Sequence, residues 1–146
     1  MEDVTSEAAG QEQPSQDAYG GFDRLVGLTL VEAGADRVTA ELVARPELLQ
    51  PFGILHGGVL CSLVETVASV GGALWFRDRG QVVGVANTTD FLHAVRDGAA
   101  LSVVGTPVHR GRTQQLWQVE VREGDRLVAR GQVRLANVSS IAALRR

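Results

Sequence analysis

The chain has 146 residues, 45% of them hydrophobic, with 14 Lys and Arg against 17 Asp and Glu for a net charge of −3. That suffices for one domain with a substantial core, and the slight acidic excess gives no electrostatic case for nucleic acid. No apolar run reaches the length of a membrane span, and the single cysteine, Cys61, excludes an intramolecular disulfide and cannot hold a metal by itself.

Residues 1–18 are acidic and polar, without aromatics, periodicity or the basic and apolar regions of a signal peptide. They are predicted to be a disordered tail on a soluble cytoplasmic protein. Folded sequence starts near Tyr19, so the domain spans 19–140 and residues 141–146 form a frayed tail. A short strand is expected over 28–32. Val38, Ala40 and Leu42 alternate with Thr39 and Glu41, the pattern of a half-buried strand. Pro46 and Pro51 bracket a loop leading into His56. A helix follows from Gly57 to Phe76, closed by Arg77-Asp78-Arg79-Gly80. The pattern then changes to period two over 81–92, 99–109, 113–122 and 126–138. Asp97-Gly98, His109-Arg110-Gly111 and Glu123-Gly124-Asp125 supply the turns. One long apolar helix among antiparallel strands predicts an α+β domain, its curved sheet wrapped around the helix.

On a helical wheel, Val59, Leu60, Leu63, Val67, Val70 and Leu74 make one aliphatic stripe. Gly58, Cys61, Ser62, Ala68, Ser69 and Gly72 make a second face of small residues, with Glu65 at its centre. Such a face lets a ligand or another backbone approach closely, so Glu65 is expected to point into a cleft or a subunit interface. Burying a carboxylate without a partner costs several kcal/mol or forces it to take up a proton. Ser69 lies one helical turn further on. At the helix start, Gly57 and Gly58 leave first-turn N–H groups uncovered, at the positive end of the helix dipole. That suits a developing oxyanion, and Glu65 could act as nucleophile or general base. The same residues also fit a tight turn entering a buried helix, with Glu65 on the surface.

The segments QPFGILHGGVLCSLVETVASVGG, VVGVANTTDFLHAV and PVHRGRTQQLWQVEV, followed by RLVARGQVRL, resemble the hot-dog-fold acyl-CoA thioesterases. The nearest branch looks PaaI-like, which includes hydroxybenzoyl-CoA and dihydroxynaphthoyl-CoA thioesterases. The resemblance implies that Glu65 is the catalytic carboxylate and that the Gly57 N–H polarises the thioester carbonyl. It implies that Gln50 faces the reacting group, that His56 orients the loop, and that Ser69 holds the hydrolytic water. Gly84 stands where related enzymes carry a serine. Arg110, Gly111, Arg112 and Thr113 match the turn that grips the CoA phosphates. No cofactor is implied. The family joins two sheets edge to edge in a dimer whose sites use both subunits, and two dimers form a homotetramer.

His56, His93 and His109 have no metal-ligand spacing, and His93 and His109 are expected to be structural or surface residues. Trp75 and Trp117 read as core or interface residues, and Cys61 as filler. Asn87, Thr88 and Thr89 break the alternation of their strand, either at a dimer seam or as a polar wall against the substrate. The expected activity is hydrolysis of an aromatic or medium-chain acyl-CoA. A hot-dog hydratase or dehydratase and a non-catalytic acyl-CoA-binding module remain the alternatives.

Overall fold

The structure, a computed structural model, describes residues 20–140. The tails expected at 1–18 and 141–146 lie outside those residues. The described residues open with a short helix absent from the sequence expectation, α1 (Gly21–Val26), which stops where Gly27 turns left-handed at φ 88°. Strands β1 (Thr29–Ala33) and β2 (Val38–Val43) follow, then a single 3₁₀ turn at Pro46–Leu48. Helix α2 runs Gly57–Phe76 as its pattern predicts. Four long strands complete the domain: β3 (Gln81–Phe91), β4 (Ala100–Arg110), β5 (Gln114–Glu123) and β6 (Arg126–Val138). Strand ends fall within a residue of the period-two segments, because alternating side chains must keep one face on the core.

All neighbouring strands are antiparallel, in the order β1-β2-β4-β5-β6-β3. Helix α2 lies on the sheet and touches every strand from β2 to β6. It is long and apolar enough to cross a bilayer by length and composition, contrary to the expectation that no run would be. Here its aliphatic residues pack the core instead, with Leu63, Val64 and Val67 at most 1% exposed. Trp117, Val119 and Val121 face them from β5, all fully buried.

The two-faced wheel needs one correction. Ala68 and Gly72, expected on the open face, are buried against the sheet. A side chain at Gly72 would collide with Leu135, and one at Gly71 with the Trp117 ring. The curved sheet covers more than the aliphatic stripe, so part of the small-residue face serves close backbone approach. Gln115 is the buried polar residue of this region. Its amide donates to Asn137 Oδ1 at 2.8 Å and Gly72 O at 3.2 Å, and its carbonyl accepts from Trp117 Nε1 at 2.8 Å. A core polar group must be paired in this way or cost stability.

Strand β3 forms the edge beside β6, and its other side has no strand partner among the described residues. Its pairing with β6 jumps from Gly84↔Leu135 to Ala86↔Arg134, a bulge at Val85. The extra residue inverts the alternation. Gly84 before it and Asn87, Thr89 and Phe91 after it therefore all face α2.

Candidate active site

At the start of α2 the chain turns through Leu55-His56. The His56 N–H donates to Leu48 O at 2.9 Å, pinning the helix to the 3₁₀ turn. The His56 side chain is the N-cap, its Nδ1 accepting from the Gly58 N–H at 2.8 Å. Because Nδ1 accepts, the neutral ring carries its proton on Nε2. The Val59 N–H is satisfied by His56 O at 2.9 Å. The Gly57 N–H remains, with no acceptor among the described residues. It is a preorganised donor at the positive helix end.

Gly57 opens onto a cleft of about 340 Å³ between the 50–55 loop, the first turn of α2 and the segment after β3. Gln50 and His93 are its polar side chains; Leu60, Phe91 and Val95 are among the apolar ones. The Gln50 side-chain carbonyl accepts from the Phe52 N–H, which leaves its amide free to donate. The Phe91 ring lies so close to Gly57 that a β-carbon there would stand 2.7 Å from it. His93, expected to be structural, lines this cleft, and its Nδ1 lies 2.8 Å from Leu127 O. A carbonyl only accepts, so Nδ1 holds a proton and donates to it.

Glu65 lies elsewhere on the helix and does not line the cleft. Its side chain is exposed. Its carboxylate lies on β3. A β-carbon at Gly84 would be 3.0 Å from Oε1, and the Asn87 amide reaches Oε2 at 3.4 Å. Asn87, expected to meet substrate, thus commits its amide within the chain, donating also to Cys61 O at 3.0 Å. Ser69 is half-buried one turn beyond Glu65, and its hydroxyl makes no hydrogen bond among the described residues. Cys61 is a free, half-buried thiol.

The expected site residues therefore fall into three groups. Gln50, His56 and Gly57 gather at the helix start, and Glu65, Ser69 and Asn87 at its middle. Arg110, Gly111, Arg112 and Thr113 form the β4–β5 hairpin beside the end of α2, where the Arg110 guanidinium lies 5.4 Å from the Trp75 ring. That guanidinium also donates to Ala35 O at 2.9 Å and Asp36 Oδ1 at 2.8 Å. Arg112 is exposed and makes no hydrogen bond or ion pair through its side chain among the described residues. Asn137 holds the hairpin, donating to Gly111 O at 2.9 Å and Arg112 O at 3.2 Å. Phe91 escaped the sequence reading, and Thr89 was singled out without a face, because the Val85 bulge hides which side of β3 they share. No grouping of His, Cys, Asp and Glu among the described residues could hold a metal ion.

Comparison with known proteins adds a lineage to this geometry. A family model described as the thioesterase superfamily matches residues 52–134. A provisionally named esterase of Mycobacterium tuberculosis is 46% identical over 82% of this chain and 87% of its own length. The proofreading thioesterase EntH of Cronobacter sakazakii is 34% identical over 66% of this chain and 69% of its own. The crystal structure of S. sahachiroi AziG superposes with a TM-score of 0.80 at 49% identity, covering 83% of this chain and 98% of that one.

Proposed function

The chain belongs to the thioesterase superfamily and is a thioester hydrolase with the hot-dog fold, and from this premise we propose that it hydrolyses an acyl-CoA at a site shared between two protomers. The observation that carries this reading is a separation. Gly57 and Glu65 are eight residues apart on one continuous helix, or about 12 Å at 1.5 Å per residue. An oxyanion donor must lie about 3 Å from the carbonyl oxygen, and a nucleophile or base must reach the same reaction centre. One glutamate side chain cannot close that gap, so the two groups on one helix serve different sites.

Strand β3 supplies the geometry for pairing them across a dimer. It passes α2 with Gly84 beside Glu65 and Phe91 beside Gly57. An antiparallel β3–β3 pairing with its two-fold axis between Asn87 and Thr88 sets Gly84 of one protomer opposite Phe91 of the other. Glu65 then faces the Gly57 of the second subunit. The free β3 edge favours that pairing, since an unpaired edge carries unsatisfied backbone groups, and Val85 and Phe91 on it are 53% and 54% exposed. The dimers pair further into a tetramer, as the family resemblance implies.

In this site the Gly57 N–H, with Gln50, polarises the thioester carbonyl. Glu65 attacks it or activates water, and Ser69 steadies that water. The cleft beside Gly57 takes an aromatic or medium-chain acyl group against Leu60 and Phe91. Arg112 meets the CoA phosphates, and the enzyme works in the cytoplasm, where its free Cys61 stays reduced.

Subunit mixing tests the shared site. Glu65→Ala and Gly57→Pro, each inactive alone, regain about a quarter of wild-type activity when refolded together, because half the random dimers then hold one intact site. Regain of nothing, with mixed dimers present, places the whole site within one protomer. A panel of acyl-CoAs assayed for free thiol identifies the acyl group.

A further inference from the structure

We propose that Asn87 and Thr89 are positioning residues that hold the Glu65 carboxylate in its working orientation. The inference rests on Glu65 being the reacting carboxylate and adds how β3 aims it. Asn87 donates through Nδ2 to Cys61 O at 3.0 Å and to Glu65 Oε2 at 3.4 Å. Because a helix carbonyl only accepts, the Asn87 amide nitrogen, not its oxygen, must face Cys61. Its Oδ1 is thereby turned to Thr89, whose hydroxyl lies 2.7 Å away and must be the donor. The result is a one-way chain, from the Thr89 hydroxyl to the Asn87 carbonyl and from the Asn87 amide to both helix backbone and carboxylate. Hydrogen bonds in series polarise one another, so the first strengthens the last.

Three features make this a built arrangement. The Val85 bulge turns Asn87 and Thr89 toward α2 on the same face as Gly84. Gly131, paired with Thr89 across β6, leaves the hydroxyl its room, since a β-carbon there would lie 2.6 Å from Thr89 Oγ1. Gly84 lets the other carboxylate oxygen settle on the strand. Glu65 has three side-chain torsions and lies exposed on the helix. Without such a clamp it would sample rotamers that never meet the thioester. An ordinary strand-edge pair has no reason to order a carboxylate on the neighbouring helix.

The test is steady-state kinetics of Thr89→Val, Thr89→Ser and Asn87→Ala, each alone and in a Glu65→Ala background. Thr89→Val is nearly isosteric and removes the donor; its kcat falls about three- to tenfold, and Asn87→Ala falls on the order of tenfold or more, with KM within about twofold. Thr89→Ser restores the hydroxyl and most of the rate. On Glu65→Ala neither change lowers the residual rate further, since nothing is left to position. Wild-type kcat in Thr89→Val and Asn87→Ala overturns the proposal, as does a raised KM at constant kcat, which would put the amide on substrate. Equal losses with and without Glu65 reduce the pair to structure. A fully active Glu65→Ala would instead sink the active-site reading itself.

Discussion

Gly84 lies against the Glu65 carboxylate, so close that a β-carbon on Gly84 would stand 3.0 Å from Oε1. The strand thus defines where the acid can rest. Gly84→Ala must push the carboxylate away by a few tenths of an ångström or into another rotamer. Glu65 is exposed and can move, so the fold survives while the aim is lost. The expected outcome is an unchanged melting temperature and a kcat lowered about tenfold. Glu65→Ala should lose roughly 10² to 10⁴. If Gly84→Ala keeps the full rate, the carboxylate conformation seen against β3 is not the working one.

The role of the Gly57 N–H can be separated from its surroundings by comparing two substitutions. Any β-carbon at Gly57 meets the Phe91 ring, so Gly57→Ala and Gly57→Pro share that clash. Only proline removes the N–H, and the first helical position tolerates proline. His56 before it, at φ −64° and ψ 131°, already has the extended conformation that a residue before proline requires. Gly57→Pro should therefore fold and fall at least about 10²-fold below Gly57→Ala in kcat, the loss seen when one oxyanion donor goes. Equal rates for the two variants would remove the amide from the mechanism.

Much of this site is legible in the sequence because it obeys periodicity. Glu65 stands out as the charge inside the apolar Gly57–Phe76 helix, and the strands announce themselves by alternation. What escapes are features set by single residues or long-range partners. α1 is only six residues long, too short for a helical pattern to declare itself. The Val85 bulge inverts the facing of everything after it, so Phe91 and Thr89 cannot be assigned to a face by counting. The partnership of Arg110 with Asp36 spans 74 positions, and no local signal encodes it.

Glu120 gives the fold a dependence on pH that is separate from the site. It accepts from Arg122 and from Arg130, each at 3.0 Å. The Arg122 hydrogen bond above all holds its carboxyl below the ordinary glutamate value; partial burial pushes the other way, and Arg130 assists Arg122. The folded state thus keeps this charge to lower pH than the unfolded chain. Its stabilisation is complete above the unfolded glutamate pKa of about 4.3 and is lost as pH falls through the depressed folded value. Arg122 and Arg130 are 39% and 50% exposed, so the cluster contributes at most about 1 kcal/mol. Glu120→Gln should melt slightly below wild type at pH 7, and the gap should close in strongly acid solution. A gap that persists or widens in acid would mean that ion pairing is not what Glu120 contributes.

The two arginines of the β4–β5 hairpin should separate by function. Arg110 is held by Ala35 O and Asp36, with its guanidinium over Trp75. Removing it breaks an ion pair and leaves Asp36 unmatched, so Arg110→Ala should lower the melting temperature. Arg112 is exposed, without a side-chain partner among the described residues, on a hairpin whose backbone Asn137 fixes. Of the two hairpin arginines, it is the one free to meet a phosphate. Removing a contact made equally in ground and transition states raises KM and leaves kcat alone. Arg112→Ala should therefore raise KM for an acyl-CoA about tenfold to a hundredfold, the cost of a charge-assisted hydrogen bond. The same variant should treat an acyl-pantetheine, which lacks the nucleotide phosphates, as the wild type does. Equal losses on both thioesters would show that Arg112 supports the hairpin and does not grip the nucleotide.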